Sequence, residues 1–137
     1  MITWKEDYNT GVQEIDEQHQ DLFDYINQLD QCIRDEEYEG ARIEIILNFL
    51  QMFCATHFCL EEVCMRQRAC PVQEKNKKAH DKFLSFYSEF QDKYRTTNNK
   101  ELLIRKLREA LETWLVNHIL KIDMHIKKCN NVNKAVY

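Results

Sequence analysis

The chain is short of the residues that interrupt helices. Its 137 residues include two glycines and one proline, so turn punctuation is sparse and long helices are expected. It also lacks an excess of basic charge. The formal net charge of −4 argues against nucleic acid or an anionic membrane as the main partner. No apolar run approaches the roughly 18 residues that span a bilayer, so no membrane segment is expected. The opening "MITWKEDYN" has neither a basic nor an apolar stretch of the secretory kind. Six cysteines are present. In a helix-rich chain without a signal, reduced thiols and a cytoplasmic location are the expectation, rather than a disulfide framework. The length suits one domain with a real core.

Four stretches show helical periodicity. The first, about Ile15 to Arg34, carries Ile15, Leu22, Phe23, Ile26 and Leu29 on one stripe. The second, about Ala41 to Gln67, carries Ile43, Ile46, Leu47, Leu50, Cys54 and Phe58. The third is expected to begin near Pro71, a favourable first helical residue, and to reach about Tyr94. The fourth runs from about Lys100 to Lys127. Short breaks between long amphipathic helices make neighbours antiparallel, which predicts an all-α, up-down-up-down four-helix bundle. The expected division is an extended N-terminal arm over 1–14, the bundle over 15–127 and a tail over 128–137.

Each helix carries one histidine in its body: His19, His57, His80 and His118. In an antiparallel hairpin, residues equidistant from the turn share a level. The midpoints of successive pairs fall at 38, 68.5 and 99, each inside a break. All four imidazoles are therefore expected at one level of the bundle. Each continues an apolar stripe: His19 precedes Leu22, Phe23 and Ile26, and Leu111, Trp114 and Leu115 lead to His118. Histidine is the commonest metal ligand, and a buried carboxylate is costly unless paired or bound to metal. Glu61 lies one turn from His57 on the same face. Asp123, five residues after His118, falls roughly 140° around an ideal helix, so its spacing places it less securely. His125, seven after His118, returns to the same face about 10 Å further on and is expected to serve at the end of the bundle.

These residues carry a resemblance. "TWKEDYNTGVQEIDEQHQDLF" around His19, "HFCLEE" at His57, "AHDKF" at His80 and "WLVNHILKIDMH" at His118 resemble the hemerythrins, in particular the single-domain bacterial ones, over nearly the whole chain. The resemblance implies two iron ions, Fe2+ or Fe3+, bridged by Glu61, Asp123 and an oxo or hydroxo group. By similarity, His19 and His57 hold the iron whose open position takes O2, and His80 and His118 hold the other. The implied function is reversible O2 binding as a carrier or store, by a non-enzymatic monomer or weak oligomer. Alternatives are a sensor of O2, NO or redox state, and a peroxidase- or oxidase-like di-iron enzyme acting on O2 or peroxide.

The chain departs from the family at one ligand. The pattern has a further histidine four residues before His80, and here that residue is Asn76. Three outcomes stay open: a weaker carbonyl donor from Asn76, water in its place, or loss of that metal. Gln73 and Glu74 are the only nearby substitutes. Cys54, Cys59, Cys64 and Cys70 spread around the helix rather than forming a metal clip. Buried inert thiol is the default, with a redox switch involving Cys59, Cys64, Cys70 or Cys129 as the alternative.

Overall fold

A computed structural model describes residues 2–123, 125, 126, 128 and 129. It contains four helices: α1 (Gln13–Arg34), α2 (Ala41–Gln67), α3 (Gln73–Thr96) and α4 (Lys100–His118), the last running into a π-helical turn over Ile119–Asp123. Helix α1 packs on α2 and α4, and α3 packs on α2 and α4. With short connections, this ring of neighbours is the expected up-down-up-down bundle. No strand occurs among the described residues.

The terminators show how a chain with two glycines stops its helices. Gly40, at φ 106°, precedes α2, a backbone conformation that glycine adopts without a Cβ penalty. Elsewhere non-glycine residues take the left-handed turn. Glu36 (φ 57°) lets Glu37 N–H donate to the Cys32 carbonyl, and Ala69 (φ 51°) lets Cys70 N–H donate to the Met65 carbonyl, each at 2.9 Å. Both satisfy carbonyls that a helix end leaves unpaired. At the start of α4 the Asn99 side chain accepts from Leu102 N–H at 3.1 Å, an N-cap bond.

Three expectations are corrected. The third helix starts at Gln73, because Pro71 and Val72 lie in the turn after α2. The N-terminal arm is not wholly extended: Glu6–Tyr8 form a 3-10 turn, and α1 begins inside the expected arm. Asp16 organises this entry, accepting from Thr10 N–H at 2.7 Å, from Thr10 Oγ1 at 2.8 Å and from Gly11 N–H at 3.2 Å. Helix α2 does meet the length and composition test for a bilayer span, with a mean hydropathy of 1.5 over its best 18 residues. Its apolar residues are divided, however. Ile43, Leu47 and Leu50 enter the core, while Ile45, Phe49 and Met52 form an exposed stripe. Of the tail expected over 128–137, only Lys128 and Cys129 lie among the described residues.

Two apolar clusters fill the bundle. The larger joins all four helices through residues such as Ile26, Leu29, Leu50, Tyr87, Ile104 and Leu107. The smaller, at the other end, contains Ile15, Cys64, Met65, Cys70, Ile126 and Cys129. Buried hydroxyls are satisfied, with Tyr87 Oη donating to the Leu47 carbonyl at 2.7 Å. Arg108 of α4 grips Asp30 of α1 with two bonds, at 2.6 and 3.0 Å, the fork geometry that gives an ion pair direction.

The expectation of six reduced thiols fails at one pair. Cys70 and Cys129 form a disulfide across a sequence separation of 59, their Cα atoms 5.7 Å apart, whereas Cys32, Cys54, Cys59 and Cys64 are free. The bond is a contact of tertiary structure that neither spacing nor helical phase could indicate. A loop of this length confers up to about 4 kcal/mol by restricting the unfolded chain. Cys129→Ser is therefore expected to lower the unfolding free energy by roughly 2–4 kcal/mol in urea. Reductant should lower the natural chain to the same value; equal stability in all three states would show the cross-link idle.

Candidate metal centre

Between the two apolar clusters lies a layer of buried polar side chains. His19 comes from α1, His57 and Glu61 from α2, and Asn76 and His80 from α3. His118 ends α4, and Asp123 ends the π-helical turn. None is more than 5% exposed. The shared level follows from the antiparallel register, and the inward direction follows from the stripes that the histidines continue. Asp123 reaches the layer for a different reason. A π turn carries more residues per turn than an α turn, so a residue five positions after His118 comes back to nearly the same face. Such turns recur at functional sites.

The donor atoms form two groups that share both carboxylates: His19, His57, Glu61 and Asp123 in one, and Glu61, His80, His118 and Asp123 in the other. In the first, His19 Nε2 is 3.2 Å from Asp123 Oδ2 and 3.3 Å from Glu61 Oε2, and His57 Nε2 is 3.2 Å from Glu61 Oε2. In the second, His80 Nε2 is 3.0 Å from Glu61 Oε1 and 3.1 Å from His118 Nε2, which is 3.1 Å from Asp123 Oδ1. Two donors about 2.1 Å from one cation and at right angles stand roughly 3.0 Å apart. These separations match that value.

Orientation supports the same reading. His19 Nε2, Glu61 Oε2 and both Asp123 oxygens make no aligned hydrogen bond despite their short separations. Their lone pairs converge on common points rather than on each other. Buried polar atoms normally find partners, and two carboxylates fully removed from water need positive charge nearby. The residues present therefore fit a pair of cations bridged by Glu61 and Asp123. Imidazole with carboxylate suits iron, and also zinc or manganese.

Sequence reasoning missed the residues that aim the imidazoles. His57 Nδ1 lies 2.7 Å from Gln18 Oε1, and His80 Nδ1 lies 3.1 Å from Glu62 Oε2. Each oxygen is an acceptor, so each ring holds its proton at Nδ1 and turns Nε2 to the centre. One half of the site thus has a neutral amide behind a ligand ring and the other a carboxylate. The only available signal was position: Glu62 follows Glu61 directly, and Gln18 precedes His19.

Electrostatics of the metal-free layer follow from burial against the carboxylates. Burial lowers the His19 and His118 imidazoles, but the Asp123 and Glu61 carboxylates outweigh it and raise both to about 9. His57 stays lowered, since burial dominates there. Burial would raise Glu61, yet the imidazoles of His118, His19, His57 and His80 hold it well below the usual carboxylate range. Protons on His19 and His118 thus balance the two carboxylates when no cation does.

The remaining candidates fall outside the layer or at its edge. Gln73 and Glu74 do not substitute for a ligand: Glu74 is exposed and neither joins a donor group. His125 is half-buried and joins no donor group. Cys59 is exposed. Cys64 is buried, with Arg68 Nη1 2.8 Å from its Sγ, and lies in the smaller apolar cluster rather than in the layer. Asn76 is buried in the layer, and its Nδ2 donates to Glu61 Oε1 at 3.0 Å.

The comparisons with known proteins agree with this geometry. The family model described as the hemerythrin HHE cation binding domain matches residues 10–129. The chain is similar to the bacteriohemerythrin of Pseudomonas aeruginosa, 30% identical over 122 residues covering 89% of this chain and 76% of that one. It is similar also to that of Methylococcus capsulatus, 29% identical and covering 94% of this chain and 96% of the relative. Among solved structures, a wild-type hemerythrin crystal structure superposes with a TM-score of 0.74 at 30% identity, covering 94% of this chain and 97% of that one.

Two tests follow. In the metal-free chain, His19 and His118 are raised above their ordinary 6.5, so the stability they contribute is complete below pH 6.5 and lost as pH rises through about 9. A cation must displace those protons. Metal uptake at pH 7 is expected to release protons and to tighten toward pH 9, as followed by titration in weak buffer; uptake without proton release would contradict the raised imidazoles. Separately, Glu62→Gln is expected to weaken one of two bound metals by about tenfold or more, measured against a chromophoric chelator. Unchanged affinity would show that the contact to His80 does not tune the site.

Proposed function

The chain belongs to the hemerythrin family, and from that premise we propose that it holds two iron ions and binds dioxygen reversibly, as a carrier or store. The observation that supports this reading most is the pair of donor groups sharing Glu61 and Asp123. Such an iron pair, when bound, would supply the reversible two-electron chemistry that dioxygen binding needs. The chain's contribution is to hold, orient and shield. His19 and His57 would hold the ion offered to dioxygen, His80 and His118 the other, with Glu61 and Asp123 shared between the two groups.

Shielding comes from the apolar layer against the site. Trp4 of the N-terminal segment lies 6.3 Å from the His19 ring and edge-on to Phe23. Phe58 stacks on His80 at 4.0 Å, and Trp114 on His118 at 4.4 Å. A narrow apolar cavity lined by Leu22, Leu50, Phe58, Leu111 and Leu115 adjoins this layer. Such apolar walls disfavour ions and leave the layer accessible to small neutral ligands at most.

The reduced, iron-loaded protein is expected to gain a visible absorption band on exposure to O2 and to lose it on degassing, over repeated cycles. Continuous O2 consumption, or many turnovers with peroxide in stopped flow, would overturn the carrier reading in favour of a catalyst. Glu61→Ala is expected to abolish binding of the metal pair, as metal analysis of the folded variant would show.

A further inference from the structure

Asn76 occupies the α3 position where the family places a third imidazole, one turn before His80 and on the same buried face. Its amide has two protons and one oxygen. Both protons are committed: Nδ2 donates to Glu61 Oε1 at 3.0 Å and to Met65 Sδ at 3.1 Å. The same Glu61 oxygen lies 3.0 Å from His80 Nε2 and 3.5 Å from His118 Nε2. The amide thus stands beside the His80–His118 donor group as a third head, but it turns its nitrogen, not its oxygen, to the bridge. Asn76 Oδ1, fully buried, has no hydrogen-bond partner.

A ligating amide oxygen would have to exchange places with the nitrogen. That would break both donor bonds and leave two protons without acceptors where Oδ1 now lies unpartnered. Keeping the amide as it stands leaves one acceptor short of a donor. Such a buried acceptor is ordinarily met by a water or another proton donor. A cation held by His80, His118, Glu61 and Asp123 has only four protein donors, fewer than iron or manganese in oxygen–nitrogen sites takes.

We infer that the second metal position keeps a coordination place that the chain does not fill, and that Asn76 Oδ1 accepts a hydrogen bond from the water occupying it. Asn76 is then a positioning residue: it steadies the bridging Glu61 with its nitrogen and selects the exogenous ligand with its oxygen. Because Oδ1 only accepts, the place suits water or a small ligand with a proton to give, such as hydrogen peroxide. Each metal then has two protein imidazoles and an exchangeable position. A histidine in place of Asn76 would instead let the chain fill that position. The inference rests on the two-metal reading above.

Titration of the metal-free chain with Mn2+ and a crystal structure of the loaded protein test it together. The natural chain is expected to bind two ions, with a water bridging the second to Asn76 Oδ1. Asn76→His is expected to tighten the second ion by tenfold or more and to lose that water. Asn76→Leu, of similar bulk and without the acceptor, should keep both ions while losing the ordered water; thermal melts establish that each variant is folded. Direct ligation by Asn76 Oδ1, or one ion in the natural chain and two in Asn76→His, overturns the inference while leaving the two-metal reading intact. Fewer than two ions in both overturns both.

Discussion

Two carboxylates with no access to water govern this structure. Glu61 and Asp123 are completely buried at the centre of a bundle whose interior is apolar on both sides of their layer. Unpaired, each would carry a desolvation penalty of several kcal/mol. Four imidazoles from four helices surround them. Protons on His19 and His118 can neutralise the pair, or two cations can. Either way each helix is tied to a common charge centre, and the bundle's register is fixed at that level by chemistry as well as by side-chain packing.

The two halves of the layer are alike in their donor atoms and unlike behind them. On one side His57 is backed by the neutral Gln18 amide; on the other His80 is backed by the Glu62 carboxylate. A carboxylate behind a ligating imidazole raises its basicity. The side with Glu62 is also the side where asparagine stands for a third imidazole. On the two-metal reading, a more basic His80 and a Glu61 carboxylate held by a hydrogen bond would offset in the same place one missing imidazole. The asymmetry is therefore built from residues outside the donor set.

The end of the bundle nearest the disulfide bears on this half too. Cys70 and Cys129 bracket a segment that contains Asn76, His80, His118 and Asp123, and their cluster includes Met65, the acceptor of an Asn76 proton. The cross-link follows the π-helical turn by six residues and holds its continuation against the turn between α2 and α3. Packing, cross-link and π turn thus act on the one residue of the layer, Asp123, that an uninterrupted α-helix would turn away.

Much of this was legible in order and spacing. Helical stripes, short breaks and midpoints at those breaks placed His19, His57, His80 and His118 on one level, since an antiparallel hairpin converts distance from its turn into height. The i, i+4 spacing put Glu61 under His57, and the missing histidine at Asn76 was visible directly. Tertiary structure decided what depends on local departures from ideal geometry or on contacts between distant segments. Asp123 entered the site because a π turn changed its angle by far more than residue type could signal. The Cys70–Cys129 bond, the Gln18 and Glu62 partners, and the direction of the Asn76 amide all arise from side chains meeting across helices. Periodicity tells which face a residue occupies; it does not tell which atom of a side chain meets which neighbour, and at this site that atom decides the chemistry.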